Sequence, residues 1–239
     1  MKKKILLLVL LLILIISPIT KSYGEEKIER RSITICIDPG HQEKGDKRGE
    51  PISPNSSEMK ARVSQGTIGI STKTPEYVVN LNAALILKEI LIKEGYNVVM
   101  TRESNDVNIS NSERAQISNE NNAAMTIRIH CDSIKDCGKT GSVILIPDSK
   151  SNNTKAIFEE SNRYALILKE KMRSGNLKVN GIFERKDMTG FNWSKVPVII
   201  LEMGFMSNYN EDCMLNSKEY QTKLMNCVKD SLNDYFTTS

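Results

Sequence analysis

The sequence lacks the features that divide a chain into several domains. Its 239 residues contain no internal repeat, no proline-rich linker and no low-complexity block. Residues 25–239 are long enough to bury a sizeable hydrophobic core in one unit. We therefore expect a single domain after the N-terminal segment.

An excess of charge of one sign is also missing from most of the chain. The sequence has 33 basic and 29 acidic residues, but four of the lysines and none of the acids fall within residues 1–24. Residues 25–239 are therefore formally neutral. This balance gives no indication of the basic surface typical of a protein that binds nucleic acid or anionic membranes, and no nucleic-acid partner is expected.

Residues 1–24 have the pattern of a secretory signal peptide. Three lysines at positions 2–4 precede an uninterrupted apolar run over residues 5–16, and Ser22 and Gly24 have the spacing of a cleavage site. The run is shorter than the roughly 20 apolar residues of a membrane-spanning helix, so cleavage is the expectation and an uncleaved anchor is the alternative. No cysteine stands directly after the run, which argues against a lipid anchor.

Cysteines are few and do not form an evident disulfide framework. There are five, an odd number, and they are scattered along the chain. Cys36 lies within an apolar run that is predicted to be a strand, where a buried thiol is expected. The spacing would allow a disulfide between Cys131 and Cys137 or between Cys213 and Cys227, and it requires neither.

Apolar runs that indicate buried strands alternate with segments that indicate amphipathic helices. Each strand run is nearly continuous in apolar residues, as in a parallel sheet covered on both faces. The expected fold is α/β, a single domain with a mostly parallel twisted sheet of about five or six strands and helices on both faces. Strands are predicted over residues 33–38, 97–101, 124–130, 141–146 and 198–202, and helices over residues 75–94, 112–121, 156–173 and 217–235.

Two glycine-containing polar passages separate these elements. Residues 42–75 are expected to form a flexible lid or a substrate-facing loop, with plain disorder as the alternative, because loops of this length are usually functional or disordered. Residues 175–193 are expected to form a loop.

The first predicted helix directs an acid toward the sheet. Thr74 is expected to cap it, Pro75 occupies the first helical position, and Gly95 ends it. Glu76 lies three residues before Val79 on the apolar face. Its carboxylate is therefore expected near the carboxyl ends of the strands.

The chain has only two histidines, and each follows an apolar run where a strand gives way to a loop. His41 comes after the first strand, and His130 closes the third. Glu202 ends the last strand, where a carboxylate is costly to bury unless it is paired or lies in a cleft. Ligands bind outside the carboxyl ends of the strands in open α/β sheets, so we expect these three residues and Glu76 at one rim.

Two imidazoles and one carboxylate are the ligand set of open catalytic zinc sites. Zinc in such a site polarises a carbonyl oxygen and lowers the pKa of bound water to about 7. A second carboxylate that is not a ligand can then move a proton from the water to a leaving amine. We assign Glu76 as the third ligand and Glu202 as the general base, although the sequence alone allows these two roles to be exchanged.

Two other chemistries are less consistent with the sequence. Cys131 follows His130 directly, and adjacent residues of a strand point to opposite faces, so they cannot easily form a thiolate–imidazole pair. A serine triad would leave one histidine unexplained, and no G-x-S-x-G element is present.

Five sequence blocks resemble the zinc-dependent N-acetylmuramoyl-L-alanine amidases of the Amidase_3 family. They occur in the family's order and extend over essentially the whole chain after residue 24. By that resemblance His41, Glu76 and His130 bind zinc and Glu202 is the catalytic acid and base. Gln42 replaces the usual glycine after His41, and Cys131-Asp132 replace the more common small residue and asparagine. The blocks are Ile37–His41, Glu76–Leu81, Ser112–Ala115, Arg128–Asp132 and Pro197–Asn208.

The resemblance implies a peptidoglycan hydrolase that cleaves the amide bond between N-acetylmuramic acid and L-alanine. The small size and the run Thr189–Trp193 most resemble the CwlD-type amidases of sporulation and germination, which act on spore cortex. An exported location at the cell wall or spore cortex follows, and retention or activation by an accessory protein is a hypothesis. The alternatives are a cell-wall binding module with a weak or structural metal site and a zinc hydrolase of another amide.

Overall fold

A six-stranded sheet forms the centre of the protein. The computed structural model describes residue 30 and residues 32–237, so the predicted signal peptide lies outside the described residues. None of the helices in this described part combines the length and apolar character needed to cross a bilayer. The strands are β1 (Thr34–Pro39), β2 (Asp46–Pro51), β3 (Met59–Val63), β4 (Asn97–Met100), β5 (Met125–Asp132), β6 (Ser142–Pro147), β7 (Val179–Arg185) and β8 (Val198–Phe205). The helices are α1 (Glu76–Glu94), α2 (Asn111–Glu120), α3 (Lys155–Ser174), α4 (Thr189–Asn192), α5 (Tyr209–Leu215) and α6 (Lys218–Thr237).

The main sheet has the strand order β4-β1-β5-β8-β6-β7. Every neighbouring pair is parallel except β6 and β8. This arrangement confirms the predicted α/β fold, and it brings the carboxyl ends of β1, β5 and β8 together at one rim. β7 lies within the stretch 175–193 that was expected to be a loop, so that expectation is wrong. Gly181 and the charged end of this strand hide it, because they interrupt the apolar pattern.

The two faces of the sheet differ in polarity. Ile35 and Ile37 of β1 belong to the large hydrophobic core that also contains the inner sides of α1, α3 and α6. Asp38 and Arg128 are buried on the opposite face, where α2 packs. His130 shares the face of Arg128 because it lies two residues further along β5. The site therefore combines His130 from this face with Glu76 from α1, which packs on the other face.

The start of α1 differs by one residue from the prediction. Pro75 is the N-cap and Glu76 the first helical residue, and no side chain caps the helix. The carbonyl of Thr74, the expected cap, accepts a hydrogen bond from the N–H of Gly69 instead. Gly95 ends the helix in the left-handed conformation, as glycine does without steric cost.

Residues 42–75 contain an antiparallel hairpin of β2 and β3. Glu50 of β2 is buried and accepts hydrogen bonds from the backbone of Asn111 (3.2 Å) and Ser112 (3.1 Å), so it fixes the hairpin to the N-terminus of α2. The structure overturns the expectation of plain disorder for this passage. Its strands are charged and one contains Gly49, which explains why the sequence shows no strand pattern here.

All five cysteines are free thiols, so neither of the two disulfides allowed by the spacing is present. Cys36 is buried as expected, and burial raises the pKa of its thiol to about 12. Burial also raises the pKa of Cys131, which packs in the large hydrophobic core, well above the ordinary thiol range. Neither thiol has the lowered pKa that a nucleophilic cysteine needs.

Candidate active site

Three donor atoms converge at the carboxyl ends of β1 and β5. Glu76 Oε1 lies 3.2 Å from His41 Nε2 and 3.3 Å from His130 Nδ1. The two imidazole rings meet edge to face with their centroids 4.7 Å apart. All three donor atoms lie within 4.8 Å of one another, so they could hold a single metal ion. Two imidazole nitrogens and a carboxylate oxygen suit zinc.

His41 is oriented by the hairpin passage. Its Nδ1 lies 3.0 Å from the carbonyl oxygen of Ser64 and 2.9 Å from the Ser64 hydroxyl. A proton on Nδ1 that is donated to the carbonyl leaves the lone pair on Nε2, which faces Glu76. Sequence reasoning missed Ser64, because no periodic pattern links it to a residue 23 positions earlier.

The backbone before His41 is held by two buried arginines. Arg102 donates to the carbonyls of Pro39 (2.9 Å) and Gly40 (3.0 Å), and Arg114 donates to those of Pro39 (2.8 Å) and His41 (3.0 Å). His41 has a φ of 61°, a conformation that non-glycine residues rarely adopt. These bonds stabilise the turn that directs its side chain into the site.

Asp38 balances the charge beneath this turn. Its carboxylate contacts Arg114 Nη1 at 2.8 Å and Arg128 Nε at 2.7 Å. Burial alone would raise the pKa of Asp38, but the two guanidinium groups outweigh burial and hold the pKa far below the usual carboxyl range. The ion pairs are buried, so removing one partner would leave an uncompensated buried charge and strongly destabilise the fold.

Glu76 is fixed at both carboxylate oxygens. Oε2 accepts a hydrogen bond from the Thr67 N–H at 3.0 Å, while Oε1 accepts from the Cys131 N–H at 3.0 Å and from Asn80 Nδ2 at 3.2 Å. Burial opposes ionisation, yet hydrogen bonds with His130 and His41 lower the pKa of Glu76 well below its ordinary value. The residue is therefore an anion at neutral pH.

His130 is neutral and closely packed. Burial lowers its pKa to about 4, although contact with Glu76 acts in the opposite direction. A neutral imidazole is the form that binds metals. Its Nε2 is buried and has no hydrogen-bond partner within the described residues.

Glu202 lies directly opposite His130 in the parallel ladder between β8 and β5. Burial raises its pKa well above the ordinary carboxyl value, and repulsion from Glu76 and Asp132 adds to this effect. Its Oε2 is buried and unpaired within the part of the chain described by the structure. The carboxyl group thus sits beside the three donors without belonging to their cluster.

Gln42, Cys131 and Asp132 are the residues beside the histidines where the sequence resemblance led us to expect other residue types. The Gln42 side chain is buried and accepts hydrogen bonds from the Ile109 N–H (3.1 Å) and Arg114 Nη2 (3.2 Å). It thereby ties the turn after β1 to the chain ahead of α2. Asp132 accepts from the N–H of Ser133 at 2.7 Å, and its carboxylate raises the pKa of Glu202.

An open α/β sheet with this donor set at its carboxyl rim has the architecture of a single-metal hydrolase. The model of the Amidase_3 family, described as N-acetylmuramoyl-L-alanine amidase, matches residues 35–234. The chain belongs to this family, which confirms the resemblance of its five sequence blocks.

The chain is similar to bacterial amidases over most of its length. It is 28% identical over 205 residues to the probable cell wall amidase LytH of Staphylococcus saprophyticus, a match that covers 85% of this chain and 58% of the relative. It is 24% identical over 217 residues to the germination-specific N-acetylmuramoyl-L-alanine amidase of Bacillus subtilis, covering 85% and 79%. The matched region is thus less than three fifths of the length of the staphylococcal relatives.

Solved structures share the fold at low identity. The apo form of the amidase Ami1 from Mycobacterium abscessus superposes with a TM-score of 0.78 at 23% identity, covering 85% of this chain and 98% of that one. The CwlD amidase from Clostridioides difficile, solved in complex with the GerS lipoprotein, superposes with a TM-score of 0.64 at 20% identity, covering 87% and 100%. The TM-scores show that these proteins share the fold of this chain.

Proposed function

We propose that this protein is an exported, zinc-dependent amidase that cleaves the bond between N-acetylmuramic acid and L-alanine in peptidoglycan. The observation that carries the proposal is the convergence of His41, Glu76 and His130 beside Glu202, in a chain of the Amidase_3 family. Residues 25–239 would form the catalytic domain, with residues 1–24 as its signal peptide.

His41, Glu76 and His130 would hold the metal through Nε2, Oε1 and Nδ1. Zinc bound there supplies polarisation of the scissile carbonyl and acidifies a water molecule. The hydrogen bonds from Thr67 and Cys131 hold the Glu76 carboxylate, and Ser64 orients the imidazole of His41. Three protein donors leave space for water and substrate.

Glu202 would move the proton during hydrolysis. It accepts a proton from the attacking water and returns it to the amine of L-alanine as the amide bond breaks. Burial raises the pKa of Glu202 in the metal-free protein, and a bound cation would act against this rise, which favours the carboxylate form that accepts the proton. Its position opposite His130 brings it next to the donor cluster without making it a fourth donor.

The place of action that we propose is the cell wall or the spore cortex. The similarity to a germination-specific amidase supports the cortex, and the similarity to probable cell wall amidases supports the wall more generally. An accessory protein that retains or activates the enzyme is a further part of the proposal. It is supported by the structurally similar CwlD amidase, which was solved with a lipoprotein bound.

Digestion of purified muropeptides by the zinc-loaded protein tests the reaction. We expect release of stem peptides that begin with L-alanine, identified by mass spectrometry. Glu202→Gln keeps the size of the side chain but removes the proton acceptor, so the rate should fall about 10²-fold to 10⁴-fold while zinc content stays unchanged. Glu219→Gln, an exposed position on α6, is the matched control and should behave as wild type.

Three other outcomes would contradict parts of the proposal. Release of peptide by Glu202→Gln at the wild-type rate would remove Glu202 from the mechanism. Binding to peptidoglycan without release at any zinc concentration would identify a wall-binding module. Products of a different mass would point to hydrolysis of another amide.

A further inference from the structure

A buried aspartate on α5, Asp212, contacts the loop that precedes Glu76, the acidic member of the donor cluster. We call residues 66–75 the donor loop, because it ends directly before Glu76. Asp212 has no solvent exposure. Asp212 lies outside the donor cluster. Its contact with Thr72, 140 positions away in the sequence, cannot be predicted from the periodicity of apolar residues.

The carboxylate of Asp212 accepts three hydrogen bonds from the donor loop. The backbone N–H groups of Ser71 and Thr72 each donate to Oδ2 at 2.7 Å, and the Thr72 hydroxyl donates to Oδ1 at 2.9 Å. Gly69 packs so closely that a Cβ there would lie 2.2 Å from Oδ1. Short charge-assisted bonds of this kind are about twice as strong as neutral ones.

The other end of the donor loop touches the candidate metal donors. Thr67 donates its N–H to Glu76 Oε2 at 3.0 Å and accepts the N–H of Glu76 at 2.9 Å through its carbonyl. A Cβ at Gly66 would lie 2.4 Å from Glu76 Oε2 and 2.8 Å from Cδ2 of His41. The backbone of the donor loop therefore packs directly on two of the three donors.

The loop between these two ends is short and internally bonded. Gly69 donates to the carbonyl of Thr74 at 3.0 Å, and Lys73 donates to the carbonyl of Gly69 at 3.2 Å. Ile70 also donates to the carbonyl of Met206, the residue that follows β8. Residues 69–74 are therefore linked to one another by backbone hydrogen bonds, and Thr67 lies two residues before Gly69.

The neighbouring residue provides an internal comparison. Glu211 is also buried and accepts two backbone N–H bonds, from Gly141 at 2.6 Å and Phe205 at 2.7 Å. These bonds join α5 to β8 and to the start of β6, and neither reaches the donor loop. Loss of either acid removes a buried carboxylate from the same helix, but of the two only Asp212 bonds to the donor loop that leads to Glu76.

We propose that Asp212 is a positioning residue for the metal site, since by anchoring the donor loop it holds the Thr67 N–H on Glu76. This inference rests on the metal site of the proposed function. It adds a residue that touches neither metal nor substrate but sets how well Glu76 is oriented for binding. Partners that orient metal ligands typically change metal affinity 10-fold to 100-fold when they are lost.

Zinc affinity measured by competition with a chromophoric chelator tests this inference without an activity assay. Asp212→Asn should weaken zinc binding about 10-fold or more and increase amide hydrogen exchange in residues 66–75. Glu211→Gln should lower the thermal unfolding temperature but leave zinc affinity within about 3-fold of wild type, because its hydrogen bonds go to Gly141 and Phe205 and do not reach the donor loop. Gly69→Ala, which pushes on the Asp212 carboxylate from the loop side, should repeat the result of Asp212→Asn.

Several results would overturn the inference. Wild-type zinc affinity in both Asp212→Asn and Gly69→Ala would show that the anchor does not reach the donors. Equal losses in Asp212→Asn and Glu211→Gln would indicate general softening of α5. If Asp212→Asn does not fold, Gly69→Ala alone decides, with the same two readouts. A wild-type protein that takes up no zinc would overturn the proposed metal site as well, whereas normal zinc uptake with unaffected variants would overturn only the role of Asp212.

Discussion

At the residue scale, the site depends on Gly40, because the space that a side chain would fill there is occupied by the imidazole of His130. A Cβ at Gly40 would lie 2.2 Å from Cε1 and 2.3 Å from Nε2 of His130, much closer than real Cβ contacts. The imidazole of His130 therefore packs flat against the backbone of the turn that ends in His41. One glycine allows both histidines to approach the same carboxylate oxygen.

Gly40→Ala should displace His130 and weaken zinc binding. The buried ring cannot move away freely, so we expect zinc affinity to fall at least about 10-fold, measured by chelator competition. Gly45→Ala is the matched control, because its Cβ would meet nothing closer than 3.4 Å. Equal affinities in the two variants would show that His130 does not need this contact.

The raised pKa of Glu202 predicts a pH dependence of stability in the metal-free protein. The folded state holds the proton above the ordinary pKa of 4.5, so Glu202 favours the folded state at low pH and this contribution is lost as pH rises through the folded pKa. Glu202→Gln should therefore be more stable than wild type at pH 8, with a difference that shrinks toward pH 4. Urea unfolding in the presence of a chelator measures this, and a constant difference across the range would contradict it.

Residues of the site differ in how well the sequence alone predicts them. His41, His130 and Glu202 interrupt or follow apolar runs, so the local pattern places them near the carboxyl ends of strands. The expectation that His130 and Glu202 end their strands is wrong, because β5 continues to Asp132 and β8 to Phe205. Thr67 acts through its backbone N–H, and Ser64 acts through its carbonyl and its hydroxyl, in a polar passage without periodicity. Their contacts depend on tertiary structure, which periodicity does not encode. The zinc and catalytic roles stay predictions.

At the element scale, the hairpin of β2 and β3 acts as part of the site. It carries Ser64 beyond its second strand, and it is attached to α2 through the buried carboxylate of Glu50. Trp193 also donates its indole N–H to the carbonyl of Pro51 at 2.9 Å. The orientation of His41 thus depends on how firmly this hairpin is held against the domain.

Glu50→Ala should loosen that attachment. It leaves the N–H groups at the start of α2 without their acceptor, so we expect a loss of about 1–3 kcal/mol in the free energy of unfolding. Urea denaturation is the measurement, and Glu58→Ala, an exposed position of the same hairpin, is the control. A loss of the same size in Glu58→Ala would show that the hairpin is destabilised by any such substitution and not by loss of the bonds from Glu50 to α2.

Most of the elements that the sequence predicts pack on the large core, and α2 is the exception. α1, α3 and α6 have apolar faces with helical spacing, and the strands β1, β5 and β8 are nearly continuous in apolar residues. β2, β3 and β7 are charged or contain glycine, because they lie at the edge of the sheet or outside it. Local composition does not indicate them, because β2 and β3 pair only with each other in a charged hairpin and β7 pairs with β6 on the far side of α3 in the sequence.

At the scale of the whole molecule, the site exists only in the folded chain. Its donors come from positions 41, 76 and 130, and the groups that orient them come from a hairpin, a loop and a neighbouring strand. An unfolded chain has no preformed cluster of this kind. Metal binding must therefore be coupled to the stability of the entire domain.

Zinc should raise the thermal unfolding temperature of the wild-type protein, with one ion bound per chain. A ligand that binds only the folded state at about 1,000 times its dissociation constant adds about 4 kcal/mol to the free energy of unfolding. In His130→Ala the cluster loses an imidazole nitrogen, so both the shift and the zinc content should be lost, whatever the variant's own stability. Comparing each protein with and without zinc separates binding from the cavity that the substitution creates. An equal zinc-induced shift in His130→Ala would mean that the stabilising ion binds elsewhere on the chain.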